Sequence, residues 1–310
     1  MKTIITNDPE EAGRCLKNNG IVVFPTETVY GIGVSARNFH GCNKIYEIKG
    51  RPKDNPFIVH VGELSMVDEI GYVIPNLWKV IKRFSPGPIT YILPKKDQTV
   101  FSSGLSTIGI RIPNLGITNT MLKIADVPVA APSANISGKP SITRVQDAIE
   151  VFEGLVNVIL NGGNCEVGLE STVVDVSQNP PVYLRPGSIS FEELKEFLPL
   201  LERTSQNDVE KNPLSPGLKY KHYAPDCEVV LVKDMMEVET KNTGQIGFHL
   251  KKATDFDIMI QNNQEYMRML YSFFIDCDKK NLKRAFCEYP LNDSKRDALL
   301  NRILKASTKN

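Results

Sequence analysis

The sequence predicts an α/β protein in two parts: an α+β domain with a mixed sheet up to about residue 200, and a small open α/β domain behind it. In the first part, helical and strand-like segments are mixed and are then followed by closely spaced strands, which is typical of an α+β or mixed-sheet domain. In the second part, short strands and amphipathic helices alternate from Cys227 onwards, as in a small open α/β domain. A chain of 310 residues is long enough to give both parts a core.

The elements of the first half follow from apolar spacing and from the residues that end them. A helix is expected from Asp8 to Asn19, with Asn7 or Asp8 as its cap and Gly20 as its stop. The segment GIVVFPTET is an apolar strand that runs into polar residues, and NFHGCNKIYEIKG has the apolar spacing of a helix ended by Gly50. NPFIVHVG, ITYILPKK and TIGIRIP are strand-like, and NLWKVIKRFSPGP is a helix closed by Ser-Pro-Gly-Pro.

The second half begins with an apolar strand, VPVAAPSANISGKPSIT, which opens into a loop of small residues. VNVILNGG, ESTVVDVS and PVYLRPG follow closely on one another, which predicts an antiparallel meander. Residues 204–226 hold three prolines and show little periodicity, as expected of a linker. Beyond it, EVVLV, GQIGFHL and DFDIMI are short strands, and NQEYMRMLYSFFIDCDKK and SKRDALLNRILKAS are amphipathic helices.

Composition and charge exclude several classes of protein. The chain is 41% apolar and 24% charged, as in globular proteins, and no apolar run approaches the roughly 18 residues of a membrane span. The first residues lack the pattern of a signal peptide, and six scattered cysteines without a C-x-x-C pair indicate reduced thiols. We therefore expect a cytoplasmic protein. The net charge of +1 argues against a protein built mainly to grip a phosphate backbone.

Positive charges and hydroxyls at strand ends are the informative chemical features, since P-loop, G-x-G-x-x-G, H-E-x-x-H and G-x-S-x-G motifs are absent from the sequence. In KGRPKDNP, Gly50 ends the helix and Pro52 favours an extended Arg51. Lys49 and Arg51 can then point to the same side and converge on one anion. A solvated helix end explains the same spacing equally well.

Each of the other polar residues, taken alone, fits a ligand-binding role and a structural role. Ser133, Asn135, Ser137 and Ser141 in APSANISGKPS can bring donors close to a ligand, or can belong to an ordinary turn-rich loop. An arginine that alternates with apolar residues, like Arg111, usually faces solvent. The same doubt applies to a few others, each of which also fits a purely structural role: His60, Ser171 and Arg185.

Taken in order, six segments resemble the successive motifs of the YrdC-like family: PTETVYGIG, KIYEIKGRPKDNPFIVHV, FSPGPITYILP, IGIRIPN, VAAPSANISGKPS and GLESTVVDV with YLRPGSI. SPGLKYKHYAPD and the segment after it resemble the family's long, two-domain form. The resemblance implies a twisted mixed sheet with helices around a concave cavity, and a small Rossmann-like domain. The implied boundaries are residues 1–203 for the catalytic domain, 204–226 for a linker that may act as an active-site lid, and 227–310 for the C-terminal domain.

The resemblance also implies an activity, the synthesis of threonylcarbamoyl-AMP from L-threonine, bicarbonate and ATP with release of pyrophosphate. Such an enzyme is a nucleotidyltransferase whose product supplies threonylcarbamoyladenosine in tRNA. Mg²⁺ is expected on the ATP phosphates, with no metal held by the protein itself. Proteins of the tRNA threonylcarbamoyl-transfer machinery are possible partners; a membrane or strong direct nucleic-acid binding is not expected. Two alternatives stay open: a double-stranded RNA or tRNA-binding module without turnover, and carbamoyl transfer from carbamoyl phosphate.

Motif position then implies roles for individual residues. Lys49 and Arg51 are the catalytic candidates. The residues expected around threonine or its carbamate are Thr28, His60, Arg111, Ser171 and, through its backbone, Ala131. Those expected around ATP are Arg51, Asn55, Thr107, Ser133, Asn135, Ser141, Arg185 and Tyr223, with His222 as the alternative to Tyr223 in the linker.

Overall fold

Two sheets organise residues 2–204 and 223–307, the part of the chain that the computed structural model describes. The helices are α1 (Pro9–Lys17), α2 (Phe39–Lys49), α3 (Leu64–Ile70), α4 (Leu77–Phe84), α5 (Gly116–Ala125), α6 (Val145–Phe152), α7 (Phe191–Lys195), α8 (Asn263–Lys279) and α9 (Arg296–Ser307). The strands of the first sheet are β1 (Ile4–Thr6), β2 (Val22–Phe24), β3 (Gly31–Ser35), β4 (Ile58–His60), β5 (Ile89–Pro94), β6 (Thr107–Arg111), β7 (Val129–Ala131), β8 (Val158–Leu160), β9 (Thr172–Asp175), β10 (Val182–Arg185) and β11 (Glu202–Arg203). Those of the second are β12 (Glu228–Val232), β13 (Thr243–Gly247), β14 (Phe256–Met259) and β15 (Arg284–Glu288).

The first sheet is mixed, with the strand order β1-β8-β2-β3-β7-β4-β6-β5-β9-β10-β11. The second is parallel throughout its pairings, in the order β12-β15-β13-β14. The predicted fold class, a mixed-sheet domain followed by a small open α/β domain, is confirmed. Helix α1 also begins as expected, because the Asp8 side chain accepts a hydrogen bond from the backbone N–H of Glu10 and Pro9 opens the first turn.

The predicted antiparallel meander is wrong for its first strand. β9 and β10 do pair in antiparallel fashion, but β8 lies at the far side of the sheet, parallel to β1 and β2. All three residues of β8 are buried, so this apolar strand gains more from a position between two neighbours than from an exposed hairpin. The elements that were not singled out from the sequence are strands β1, β3, β11 and β15 and helices α3, α5, α6 and α7.

Apolar packing joins the two parts of the molecule. The buried cluster of the C-terminal sheet and helices includes Tyr266, Leu270 and Phe274, and it extends to Val29 and Leu169, which belong to loops of the first domain. The C-terminal domain therefore packs directly against those loops. No helix among the described residues is long and apolar enough to cross a membrane. Most of the predicted linker, including His222, lies outside the described residues.

Candidate functional site

The turn after β2 delivers polar side chains to a pocket. Thr26 shapes the turn, since its Oγ1 donates to the carbonyl of Val29 at 2.7 Å and accepts from the backbone N–H groups of Thr28 and Val29. Thr28 then lies beside the guanidinium of Arg111, whose Nη1 donates to Thr28 Oγ1 at 2.8 Å. The strand thus ends in a buried, polar site and not at a surface turn.

Nine residues predicted to bind substrates line this pocket together: Thr28, Arg51, His60, Arg111, Ala131, Ser133, Ser171, Arg185 and Tyr223. Most of them lie at the ends of β2, β4, β6, β7 and β10 or in the loops that follow, which the sheet order brings close together. Ser171 directly precedes β9, Arg51 follows α2, and Tyr223 lies shortly before β12. The structure therefore unites residues that the sequence separates by up to 195 positions, from 28 to 223. Their individual roles stay predictions.

Arg111 is buried, although alternation along its strand favoured the solvent face. It is 4% exposed, because that side of β6 faces the polar lining of the pocket and not the outer surface. Its Nε donates to the carbonyl of Gly87 at 3.3 Å, and its Nη2 lies 2.8 Å from Glu27 Oε1 without hydrogen-bond geometry. Glu27 was overlooked as a site residue, although the quoted PTET sequence contains it. It supplies the charge that offsets a buried arginine.

His60 is the register partner of Arg111 across β4 and β6, so the two side chains emerge on the same face. Burial, and then the charge of Arg111, lower the pKa of His60 to about 3. The imidazole is therefore neutral near pH 7. Its Nδ1 is buried and has no hydrogen-bond partner among the described residues.

Ser171 and Arg185 form the opposite wall. Arg185 Nε donates to the carbonyl of Ser171 at 3.0 Å and its Nη2 to Ser171 Oγ at 3.2 Å, while Thr90 Oγ1 lies 2.8 Å from the same hydroxyl. Burial lowers the pKa of Arg185. Because Arg185 lines the pocket, its guanidinium brings positive charge to the position where an anion would bind.

Lys49 and Arg51 do not converge, contrary to the expectation from their spacing. Gly50 does end α2, in the left-handed conformation at φ 60°, and Arg51 lines the pocket, anchored by Nε to the carbonyl of Asn55 at 3.2 Å. Burial lowers the pKa of Arg51 to about 10. Lys49 is still helical and points under the loop of residues 133–135, called the S-A-N loop from here on. Its Nζ donates to the carbonyl of Ser133 at 2.6 Å and to that of Asn135.

Four other candidates do not line the pocket: Asn55, Thr107, Asn135 and Ser141. The Asn55 carbonyl holds Arg51, and Asn135 Oδ1 accepts from Ser133 Oγ at 2.7 Å, so both support pocket residues. Ser141 donates to Glu170 Oε1 at 2.6 Å. Thr107 lies at the start of β6 and lines a separate small cavity beside Phe57. Their predicted contacts with ATP are untested.

Glu170 is the main residue that sequence reasoning missed, and it lines the pocket. Its carboxylate accepts hydrogen bonds from Tyr271 Oη at 2.9 Å and from Arg302 Nε at 2.9 Å, both in the C-terminal domain. Burial on its own would raise the pKa of Glu170, but the charges of Arg302 and Arg185 and the bond from Ser141 bring it below its usual value. The position of Glu170 directly before Ser171 could have indicated a site residue. The sequence around Arg302 contains no such indication.

Cations outnumber carboxylates in this pocket, which suits anionic ligands more than a metal ion. The pocket lining includes three guanidinium groups, those of Arg51, Arg111 and Arg185, and the carboxylate of Glu170. Among residues 2–204 and 223–307, no group of three or more His, Cys, Asp and Glu side chains could hold a metal ion. The described lining of the pocket therefore lacks the set of oxygen ligands that Mg²⁺ or Ca²⁺ prefers.

Comparisons with known proteins identify relatives of the whole chain. Residues 14–187 match the family model Sua5_yciO_yrdC, described as telomere recombination, and residues 189–308 match the model of the threonylcarbamoyl-AMP synthase C-terminal domain. The threonylcarbamoyl-AMP synthase of Bacillus subtilis is 40% identical over 239 residues, covering 75% of this chain and 69% of the relative. That of Pyrococcus abyssi is 34% identical over 315 residues, covering 94% and 92%.

A solved structure resembles the whole molecule. The crystal structure of P. abyssi Sua5 complexed with L-threonine has a TM-score of 0.89 and 31% identity, and covers 99% of this chain and 97% of that one. With 99% of this chain covered, the match includes both sheets. The chain therefore belongs to the threonylcarbamoyl-AMP synthase family, in the form that carries both the YrdC-like domain and the C-terminal domain.

Proposed function

We propose that this protein is a nucleotidyltransferase that makes threonylcarbamoyl-AMP from L-threonine, bicarbonate and ATP and releases pyrophosphate. The observation that carries the proposal is the meeting of three buried guanidinium groups, Arg51, Arg111 and Arg185, in one pocket with hydroxyl donors. A carboxylate, a carbamate and a triphosphate bring several negative charges together, and a partly dry site needs fixed cations to hold them. The relatives named threonylcarbamoyl-AMP synthase support this choice of substrates.

The side of the pocket around Thr28, His60 and Arg111 suits threonine. Arg111 offers charge to a carboxylate or carbamate, and the neutral His60 leaves its Nδ1 free to pair with a polar group of the ligand. The L-threonine complex of the P. abyssi relative supports a threonine site in this fold. Ala131 and Ser171 complete the predicted threonine set.

The chemistry needs positioning and charge stabilisation more than a protein nucleophile. The threonine amine first attacks the carbon of bicarbonate; the C–OH bond of bicarbonate breaks, water leaves with a proton from the amine, and a carbamate forms. A carbamate oxygen then attacks the α-phosphorus of ATP in line, and the bond from that phosphorus to the pyrophosphate oxygen breaks. Arg51 and Arg185 would stabilise the charge that develops on the phosphoryl oxygens and on the leaving pyrophosphate. Ser133 would add a hydrogen bond on the same side.

Mg²⁺ enters the proposal as part of the substrate. Because the described residues offer no ligand set of their own, the ion would arrive on the ATP phosphates. EDTA should then abolish turnover without changing the melting temperature of the ATP-free protein. A fall in that melting temperature would instead indicate a metal held by the chain.

The product would be the activated donor for threonylcarbamoyladenosine in tRNA, handed to the proteins of the transfer machinery. Residues 1–203 would carry the catalytic site and residues 227–310 a supporting domain. The competing view is an RNA-binding module without turnover, which the balanced charge disfavours.

Pyrophosphate release from ATP and Mg²⁺, with threonine and bicarbonate each present or omitted, tests the proposal. Release that requires both, together with a threonine-derived adenylate in the mixture, is expected. Serine in place of threonine is an informative control, since recognition of one methyl group contributes only about 1–3 kcal/mol. Intact ATP under every condition would overturn the activity and favour RNA or carbamoyl phosphate as the ligand to test next.

A further inference from the structure

Arg302 belongs to α9, the last helix of the C-terminal domain, but its side chain contacts the first domain. It is fully buried. Its Nε donates to Glu170 Oε2 at 2.9 Å and its Nη1 to the carbonyl of Pro186 at 2.9 Å, next to the pocket residue Arg185. The guanidinium also lies 5.3 Å from the ring centroid of Tyr223. A buried guanidinium is costly unless it is paired, and Glu170 is the partner.

Glu170 connects Arg302 to the pocket. Its carboxylate accepts from Ser141, from Tyr271 and from Arg302, so these three donors fix its orientation. An unpaired carboxylate in this position would repel the phosphates of a nucleotide. Pairing with Arg302 removes that repulsion and keeps Ser141 in place.

A second connection runs through aromatic rings. Tyr223 stacks on Tyr271 with ring centroids 5.6 Å apart and planes at 25°, and Arg302 lies on the same Tyr223 ring. Tyr223 lines the pocket and is the predicted ATP contact at the end of the linker. Cation–π contact and stacking together restrict where this ring can lie.

We propose that Arg302 is a positioning residue for the ATP side of the pocket: it acts through Glu170 and Tyr223, so that the C-terminal domain completes a site whose substrate contacts come from the first domain and the linker. This rests on the proposed function. On the threonine side, Arg111 has separate supports, since it is held by Thr28, Glu27 and Gly87. Loss of Arg302 should therefore change the KM for ATP more than the KM for threonine. A purely structural role would not produce this difference.

The direct test is Arg302→Met, assayed by pyrophosphate release. The KM for ATP should rise about tenfold, within the range measured for coupling between distinct sites, while the KM for threonine changes little. Arg302→Lys should restore part of the loss, because it keeps the charge but cannot bridge Glu170 and Pro186 as a planar fork does.

Arg203→Gln is the matched control. Arg203 also ties the first domain to α9, through Asp297 at 2.8 Å, but this pair is exposed and does not touch Glu170. Exposed ion pairs contribute little, so both KM values should stay at the wild-type level. A tenfold rise in the KM for ATP in this variant would show that any loosening of α9 suffices, and would overturn the assignment to Arg302.

A milder variant keeps the proposal testable if Arg302→Met does not fold. Tyr271→Phe removes one donor to Glu170 and leaves the ring on Tyr223; the KM for ATP should again rise more than that for threonine. Equal changes for both substrates, or no change, in the folded variants would refute the role of Arg302. If the wild-type protein releases no pyrophosphate, the proposed function fails, and the Kd of ATP from equilibrium dialysis decides the role of Arg302 separately.

Discussion

Replacement of Lys49 by methionine separates a structural role from a catalytic one. Lys49 is 1% exposed, and burial, followed by the charge of Arg51, lowers its pKa well below the usual value. Its three possible donors face three oxygens: the carbonyls of Ser133 and Asn135, and Asn135 Oδ1 at 3.4 Å. Methionine preserves most of the length but removes the donors from beneath the loop.

The expected loss of stability follows from the two short hydrogen bonds that Lys49 donates to the carbonyls of Ser133 and Asn135. Hydrogen bonds to a charged group contribute about 1.5–3 kcal/mol each, and the carbonyls left behind stay buried. Relief from burying an ammonium group offsets part of this loss. We therefore expect the free energy of unfolding to fall by about 3 kcal/mol. The KM for ATP should also rise, because Ser133 lines the pocket.

Urea titration with fluorescence of Trp78 measures this change in the first domain, since Trp78 lies in α4 and is the single tryptophan. Lys44→Met on the exposed face of the same helix is the control, and its ion pair with Glu47 should contribute nothing measurable. A loss of less than about 1 kcal/mol, with pyrophosphate release reduced about a hundredfold, would refute the reasoning and place Lys49 on the substrate.

Three further predictions concern the pocket walls. Arg51→Ala should reduce pyrophosphate release about a hundredfold or more with an unchanged circular dichroism spectrum; near-normal turnover would remove its catalytic assignment. Tyr223→Ala should raise the Kd of ATP and Tyr223→Phe should not, as judged by equilibrium dialysis; equal affinity in all three proteins would exclude the ring as an ATP contact. Because the folded-state pKa of His60 is lowered from 6.5 to about 3, the unfolded state gains the proton first and stability falls as the pH drops from 6.5 towards 3. Over this pH range, urea titrations of His60→Asn should show a smaller fall in the free energy of unfolding than those of the wild-type protein. If the free energy of unfolding changes equally with pH in both proteins, His60 is not a neutral, buried imidazole.

Local pattern was enough to locate most elements and the sequence motifs of the site. Asp8 caps α1 and Gly50 ends α2 as the residue types predict, because capping and left-handed turns depend on one or two neighbouring residues. Apolar runs likewise predicted β2, β4 and β8. The motif order pointed to nine residues that share one pocket.

Pairing and side-chain direction were decided by the tertiary structure. An apolar run such as β8 is compatible with many neighbours, and only the assembled sheet places it between β1 and β2. Spacing along the chain could not reveal that Lys49 points under the S-A-N loop while Arg51 enters the pocket, since each direction depends on which oxygens lie nearby. Glu170 and Arg302 are 132 positions apart. By itself the sequence determined which polar groups the chain could offer. The packing of α9 against the first domain determined that Glu170 and Arg302 meet. The physical reason is that a buried charge is tolerated only beside a partner of opposite charge.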